Sequence, residues 1–274
     1  MAFHCPECNF EFPAGLAQLP ANCPRCGVPL NVPQAPQAPQ PRRRINYAYL
    51  RYSPTIYIIL ACVIMFIVEV VVARSLDPSA QVVFVVGGLY GPAVFAGQWW
   101  RMLTSVFLHG GVIHIALNMW ALFNLGILAE ILYGRRNYTI LYLLCGLGGS
   151  ALSIFWHPNQ VGIGASGAIF GIAGALLPAL KFQKNPRIAA ALRGSFSSIG
   201  LFVIYNLLFG AAIPFIDNAA HLGGLITGMV TGYFLPSYTV EEERDQTGRT
   251  AAVFAVVFVM IVAVAIFAKK VHGG

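Results

Sequence analysis

Seven apolar runs dominate this chain, at roughly 54–73, 106–132, 138–156, 164–181, 195–213, 218–236 and 250–268. Each approaches the ~20 residues that a helix needs to cross the hydrocarbon core of a bilayer. In lipid a backbone has to satisfy its own polar groups, so such runs fold as helices. Of the 274 residues 57% are hydrophobic and 10% charged, whereas about a quarter are charged in soluble domains. An all-α polytopic membrane protein is the fold class this predicts. The lipid bilayer is thus a partner, and the net charge of +7 bears on orientation; no nucleic acid is expected.

An eighth apolar stretch, Val82 to Trp100, carries Gly87, Gly88, Gly91, Pro92 and Gly97, poor material for a helix. If it does not cross, twelve basic residues (Arg42, Arg43, Arg44, Arg51, Arg135, Arg136, Lys181, Lys184, Arg187, Arg193, Arg244, Arg249) share the amino-terminal side. Only Arg74, Arg101, Lys269 and Lys270 face the other. If it crosses, the split becomes seven against nine. The positive-inside rule therefore makes 82–100 a loop and places the amino terminus in the cytoplasm, with a bacterial inner membrane as the expected location.

Before the first span stand Cys5-Pro-Glu-Cys8 and Cys23-Pro-Arg-Cys26. Two such knuckles separated by 14 residues fit four thiolates around a tetrahedral zinc; the competing readings are disulfides or redox dithiols. So short a segment has almost no core, and a structural Zn2+ would supply its folding free energy. The expected organisation is a small four-cysteine zinc ribbon at 1–28, a Pro/Gln-rich tether at 29–45 and a membrane core at 46–236. A cytoplasmic acidic loop at 237–249 and a seventh span with tail at 250–274 follow. The ribbon implies a cytoplasmic partner that the sequence does not name.

Polar groups inside a span are costly. His114 and Asn118 open the second span, Ser166 the fourth and His221 the sixth. All three spans run in the same direction, so these side chains lie at a similar depth near the outer surface. Gly224, Gly228 and Gly232 recur every four residues with His221 on their stripe, and Gly167, Gly171 and Gly174 form a small face beside Ser166. Small faces let membrane helices approach closely, which would carry Ser166 towards His221. A neutral imidazole within hydrogen-bond reach turns a hydroxyl into a nucleophile. His114 and Asn118, spaced i,i+4, share one helix face. They suit either an interhelical hydrogen bond or an oxyanion site, where they would join the backbone N–H of Ser166. Asp217, four residues before His221, reads as a helix cap or as an acid that orients the base.

Gly164-Ala165-Ser166-Gly167, Ala220-His221-Leu222-Gly223-Gly224 and His109-x4-His114-x3-Asn118, preceded by Trp100-Arg101, together resemble the rhomboid intramembrane serine proteases over about residues 50–236. The resemblance implies a six-helix bundle, here with one extra carboxy-terminal helix. It implies a Ser166–His221 dyad without an acid or catalytic cofactor, and an oxyanion site of His114, Asn118 and Ser166. Gly164, Phe170 (stacked on the histidine), Gly224 and the Trp100-Arg101 pair of a partly embedded loop would support it, with Arg101 and Glu130 structural. Implied substrates are single-pass membrane proteins cut near the outer end of their helix. The alternative is a catalytically silent relative that binds and escorts membrane clients.

Overall fold

The computed structural model describes residues 3–12, 20–30, 51–182, 186–213, 216–235 and 247–273, with side chains left undescribed at 3, at 180–195 and at 247. The arginines at 42–44, most of the proline-rich tether and most of the acidic loop lie outside the described residues. The chain forms two compact units, residues 1–46 and 47–274.

In the first unit β1 (Phe3–His4) pairs antiparallel with β2 (Glu11–Phe12). Each Cys-x-x-Cys is followed by a residue in the left-handed region, Asn9 (φ 56°) and Gly27 (φ 74°). Asparagine and glycine tolerate that turn best. The knuckles close through Asn9 N–H donating to Cys5 O and Gly27 N–H to Cys23 O. Cys5, Phe12, Cys23 and Leu30 make up its core, which is small.

The second unit is helical. α1 (Pro54–Ala73) is followed by three short pieces, α2 (Ala80–Val86), α3 (Gly91–Phe95) and α4 (Arg101–Thr104). A 3-10 turn at Ser105–Phe107 leads to the 45-residue α5 (Val112–Trp156). Then come α6 (Ser166–Phe182), α7 (Pro186–Ala212), α8 (Asn218–Phe234) and α9 (Thr247–His272). Among the described residues, α1, α5 and α9 are long and apolar enough to cross a membrane, and Ser166–Ala179 and Phe196–Ala212 are shorter apolar helices. The protein is therefore a polytopic helical membrane protein.

α5 accounts for two of the expected spans. Gly134 has φ 73° and ψ 157° inside it, and a Cβ on Gly126 would meet the Tyr138 hydroxyl. Residues twelve apart can touch only if the chain folds back at Gly134. The two limbs are each ~33 Å long at 1.5 Å per residue, enough for the ~30 Å hydrocarbon layer. The first limb starts at Val112 rather than at 106, because the 3-10 turn and Gly111 (φ 153°) break the apolar run. Likewise α9 begins at Thr247 rather than at 250.

Residues 82–100 do not cross: α2 and α3 span seven and five residues. Arg101, 5% exposed, ties this loop together. Its Nη1 donates to Phe84 O (2.6 Å) and Gly88 O (2.9 Å), its Nε to Gln98 Oε1 (2.6 Å), and its guanidinium lies over the Phe84 and Trp100 rings. The loop then bridges to the α5–α6 connection through Leu89 and Gly162, whose N–H and C=O groups exchange two bonds.

At the far end of α1, Glu130 in α5 accepts from Ser53 Oγ and from Thr55 Oγ1 (2.9 Å), and Arg135 Nε approaches it to 3.6 Å. Tyr133 OH donates to Ala175 O of α6 (2.6 Å). α9 packs on the second limb of α5, where Phe267 stacks on Phe155 and His272 Nε2 lies 3.0 Å from Phe155 O.

Candidate functional site

Glycine brings α6 and α8 into backbone contact. A Cβ on Gly224 would fall on Gly167 O, one on Gly228 on Gly171 O, and one on Gly232 within 2.6 Å of Ala175 Cα. Each contact joins one turn of α8 to one turn of α6, and the uppermost lies beside Ser166 and His221. Ser166 is the first residue of α6 and His221 the fourth of α8. Ser166 Oγ and His221 Nε2 are 3.0 Å apart, within the reach of a nucleophile–base pair.

Phe170, one turn along α6, holds the imidazole flat: the rings stack with centroids 4.2 Å apart at 6°. Asp217 acts as the cap. Its Oδ1 accepts from Ala220 N–H at 3.0 Å and its other oxygen accepts from Ser153 Oγ. His221 Nδ1 has no hydrogen-bond partner among the described residues, so the carboxylate is engaged elsewhere and does not orient the ring directly.

Facing this pair are the opening turns of α5. Gly164 has φ +119°, and a Cβ there would sit 2.9 Å from His114 Nε2. The position thus requires glycine both for its backbone angle and for the approach of the imidazole. His114 Nδ1 receives the Gly110 N–H (3.4 Å). Asn118 is 7% exposed, and its Nδ2 donates to His114 O at 2.9 Å. This bond stays within α5, to the carbonyl one turn back, rather than crossing to another helix. An amide nitrogen carries two N–H donors, so one is left for the cavity. As the first helical residue, Ser166 has an N–H without an intrahelical acceptor. His114, Asn118, Gly164, Ser166, Phe170 and His221 line one cavity of about 900 Å³. A nucleophile–base pair and several N–H donors around one open space can attack and stabilise a carbonyl.

Sequence reading overlooked Glu69. It lies fully buried in α1 and its Oε2 accepts from His109 N–H at 3.0 Å. A carboxylate inside an apolar span was the available signal.

In the first unit the four sulfurs lie within 4.8 Å of one another. Cys5 and Cys26 Sγ are 3.7 Å apart, Cys8 and Cys23 Sγ 3.6 Å. Four thiolates at ~2.3 Å from a tetrahedral ion stand about 3.8 Å apart, so the set fits a metal, and all four cysteines are free of disulfides.

Residues 96–238 match the family profile described as the Rhomboid domain. Rhomboid protease GluP of Bacillus subtilis (strain 168) is 36% identical over 174 residues, covering 63% of this chain and 32% of that protein. RHOMBOID-like protein 4 of Arabidopsis thaliana is 36% identical over 177 residues, with 63% and 44% covered. Rhomboid-like protease 3 of Toxoplasma gondii is 30% identical over 177 residues, with 64% and 66% covered. The chain thus spans about a third to two thirds of the length of these relatives. A profile covering more than half of the sequence, over the helices that carry the glycine-stripe contact and the Ser166–His221 pair, assigns the chain to the rhomboid family.

Proposed function

We propose that the protein is an intramembrane serine endopeptidase that cuts single-pass membrane substrates near the outer face of the bilayer. The observation that carries this is the 3.0 Å contact between Ser166 Oγ and His221 Nε2 at the wall of a cavity. His221 takes the Ser166 proton as Oγ attacks the scissile carbonyl. The N–H groups of Ser166, His114 and Asn118 meet the oxyanion, each such donor contributing ~3 kcal/mol to transition-state stabilisation. On collapse His221 passes the proton to the leaving amine, and water then releases the acyl group from Ser166 by the same route. The basic residues gathered on the amino-terminal side support a cytoplasmic amino terminus. The sulfur spacing supports Zn2+ at Cys5, Cys8, Cys23 and Cys26, which would fold the first unit and take no part in the chemistry.

Names of relatives that include "protease" support the same reaction class. The test is fluorophosphonate labelling of the purified protein in detergent, together with cleavage of a single-span reporter in proteoliposomes. The expected result is labelling and cleavage that vanish in Ser166→Ala and His221→Ala at unchanged thermal stability. A well-folded wild type that neither labels nor cleaves would refute catalysis and leave the escort role.

A further inference from the structure

We propose that Glu69 is a positioning residue for His114, an inference that rests on the oxyanion role just assigned to that histidine. Glu69 sits in the last turns of α1 with no exposed surface. A carboxylate there is expensive unless something on the protein uses it. Its Oε2 accepts the backbone N–H of His109 at 3.0 Å, forty residues away and at the corner that turns into α5.

That corner sets His114. His109 is fully buried, and its ring packs edge-on against the His114 ring with centroids 5.2 Å apart. The next residue, Gly110, directs its N–H at His114 Nδ1. A nitrogen that accepts a hydrogen bond carries no proton, and in a neutral imidazole the proton then resides on the other nitrogen. The other nitrogen is Nε2, the atom that comes within 2.9 Å of the Cβ position of Gly164, two residues before Ser166. Glu69 therefore anchors the turn whose next N–H selects the His114 tautomer with a donor on the cavity side. Without that anchor the corner is free to rotate, the Gly110 N–H leaves Nδ1, and the imidazole presents an acceptor to the oxyanion for part of the time.

The inference separates from general stabilisation by its dependence on His114. Glu69→Gln keeps a carbonyl oxygen to accept the His109 N–H; Glu69→Leu removes it. With a fluorophosphonate probe, Glu69→Leu is expected to lower kinact about 10- to 100-fold with KI unchanged, less than the ~100- to 1,000-fold of a fully removed oxyanion donor because the donor tautomer is lost only part of the time. Glu69→Gln should stay within about threefold of wild type. In a His114→Ala background Glu69→Leu should change kinact by less than about twofold, since two residues acting through one contact are not additive. Glu69→Asn, polar but too short to reach His109, substitutes should Glu69→Leu fail to fold.

Selective 15N-histidine NMR gives a readout that requires no catalysis. Wild type and Glu69→Gln should show His114 with a bare Nδ1 and a protonated Nε2, and Glu69→Leu a mixture of tautomers. A wild-type His114 protonated on Nδ1 would overturn the inference. So would a Glu69→Leu effect equally large without His114, or a folded Glu69→Leu that labels at the wild-type rate. A wild type that never labels would instead defeat the protease reading and leave the tautomer measurement standing.

Discussion

Alanine at Gly224 adds one methyl group where α8 rests on α6. That methyl would fall on Gly167 O, far inside the 3.0 Å that a Cβ keeps from its neighbours. No side chain can yield there, because the clashing atom belongs to the backbone. The helices must part by about 1 Å at that level, at an overpacking cost of about 1–3 kcal/mol. Gly167 adjoins Ser166 and Gly224 lies one turn beyond His221, so most of the separation reaches the pair. A contact of 3.0 Å then becomes one of about 4 Å, beyond the reach of a general base, which contributes about 100- to 10,000-fold. Gly224→Ala should fold with a lowered Tm and lose at least about 100-fold in fluorophosphonate labelling. Gly228→Ala, one turn further down, should lose similar stability and less activity. Gly200→Ala in α7, where nothing lies within 4 Å of the Cβ position, should leave labelling unchanged and the Tm no lower, since alanine favours a helix by about 0.5–1 kcal/mol over glycine. A folded Gly224→Ala that labels within about threefold of wild type would refute the claim that this contact sets the pair.

Three further outcomes are expected. Cys5→Ser should lower bound zinc from one per chain by elemental analysis and abolish it on mild chelation, while labelling at Ser166 persists; undiminished zinc would remove Cys5 from the ligand set. Arg101→Met leaves Phe84 O and Gly88 O without their buried donor and should cost about 2–5 kcal/mol in denaturant unfolding, at about 1–3 kcal/mol per orphaned carbonyl, with a loss under about 1 kcal/mol counting against its role in the loop. Tyr133→Phe removes the hydroxyl that donates to Ala175 O and should cost about 1 kcal/mol, measured as a Tm shift without change in labelling rate.

Composition makes the spans readable, because a bilayer accepts few alternatives to a helix of about 20 apolar residues. Charge made 82–100 readable as non-crossing, and the structure divides it into short helices held by Arg101. Glycine periodicity pointed at the α6–α8 contact, since only the smallest residues allow a spacing this close. Other features depend on partners far apart in the chain. Glu130 draws on Ser53 and Thr55, more than seventy residues away, and Glu69 on a backbone group forty residues off. A carboxylate within an apolar run is visible in the sequence, but the distant group it pairs with is not. The direction of the Asn118 amide is a rotamer choice between the cavity and its own helix, and residue type alone leaves that choice open. The start of α5 was misplaced because apolar content continues through Val106–Leu108 while Gly111 breaks the helix by its dihedral angle.

The contact of Gly224 with the Gly167 carbonyl works as a gauge block. Main-chain atoms have no rotamers to sample, so the spacing of the two helix backbones that carry Ser166 and His221 is set by the thickness of a peptide group. Opening the cavity by parting these two rods would break backbone contacts at three successive turns, so widening it at the rim formed by other elements costs less.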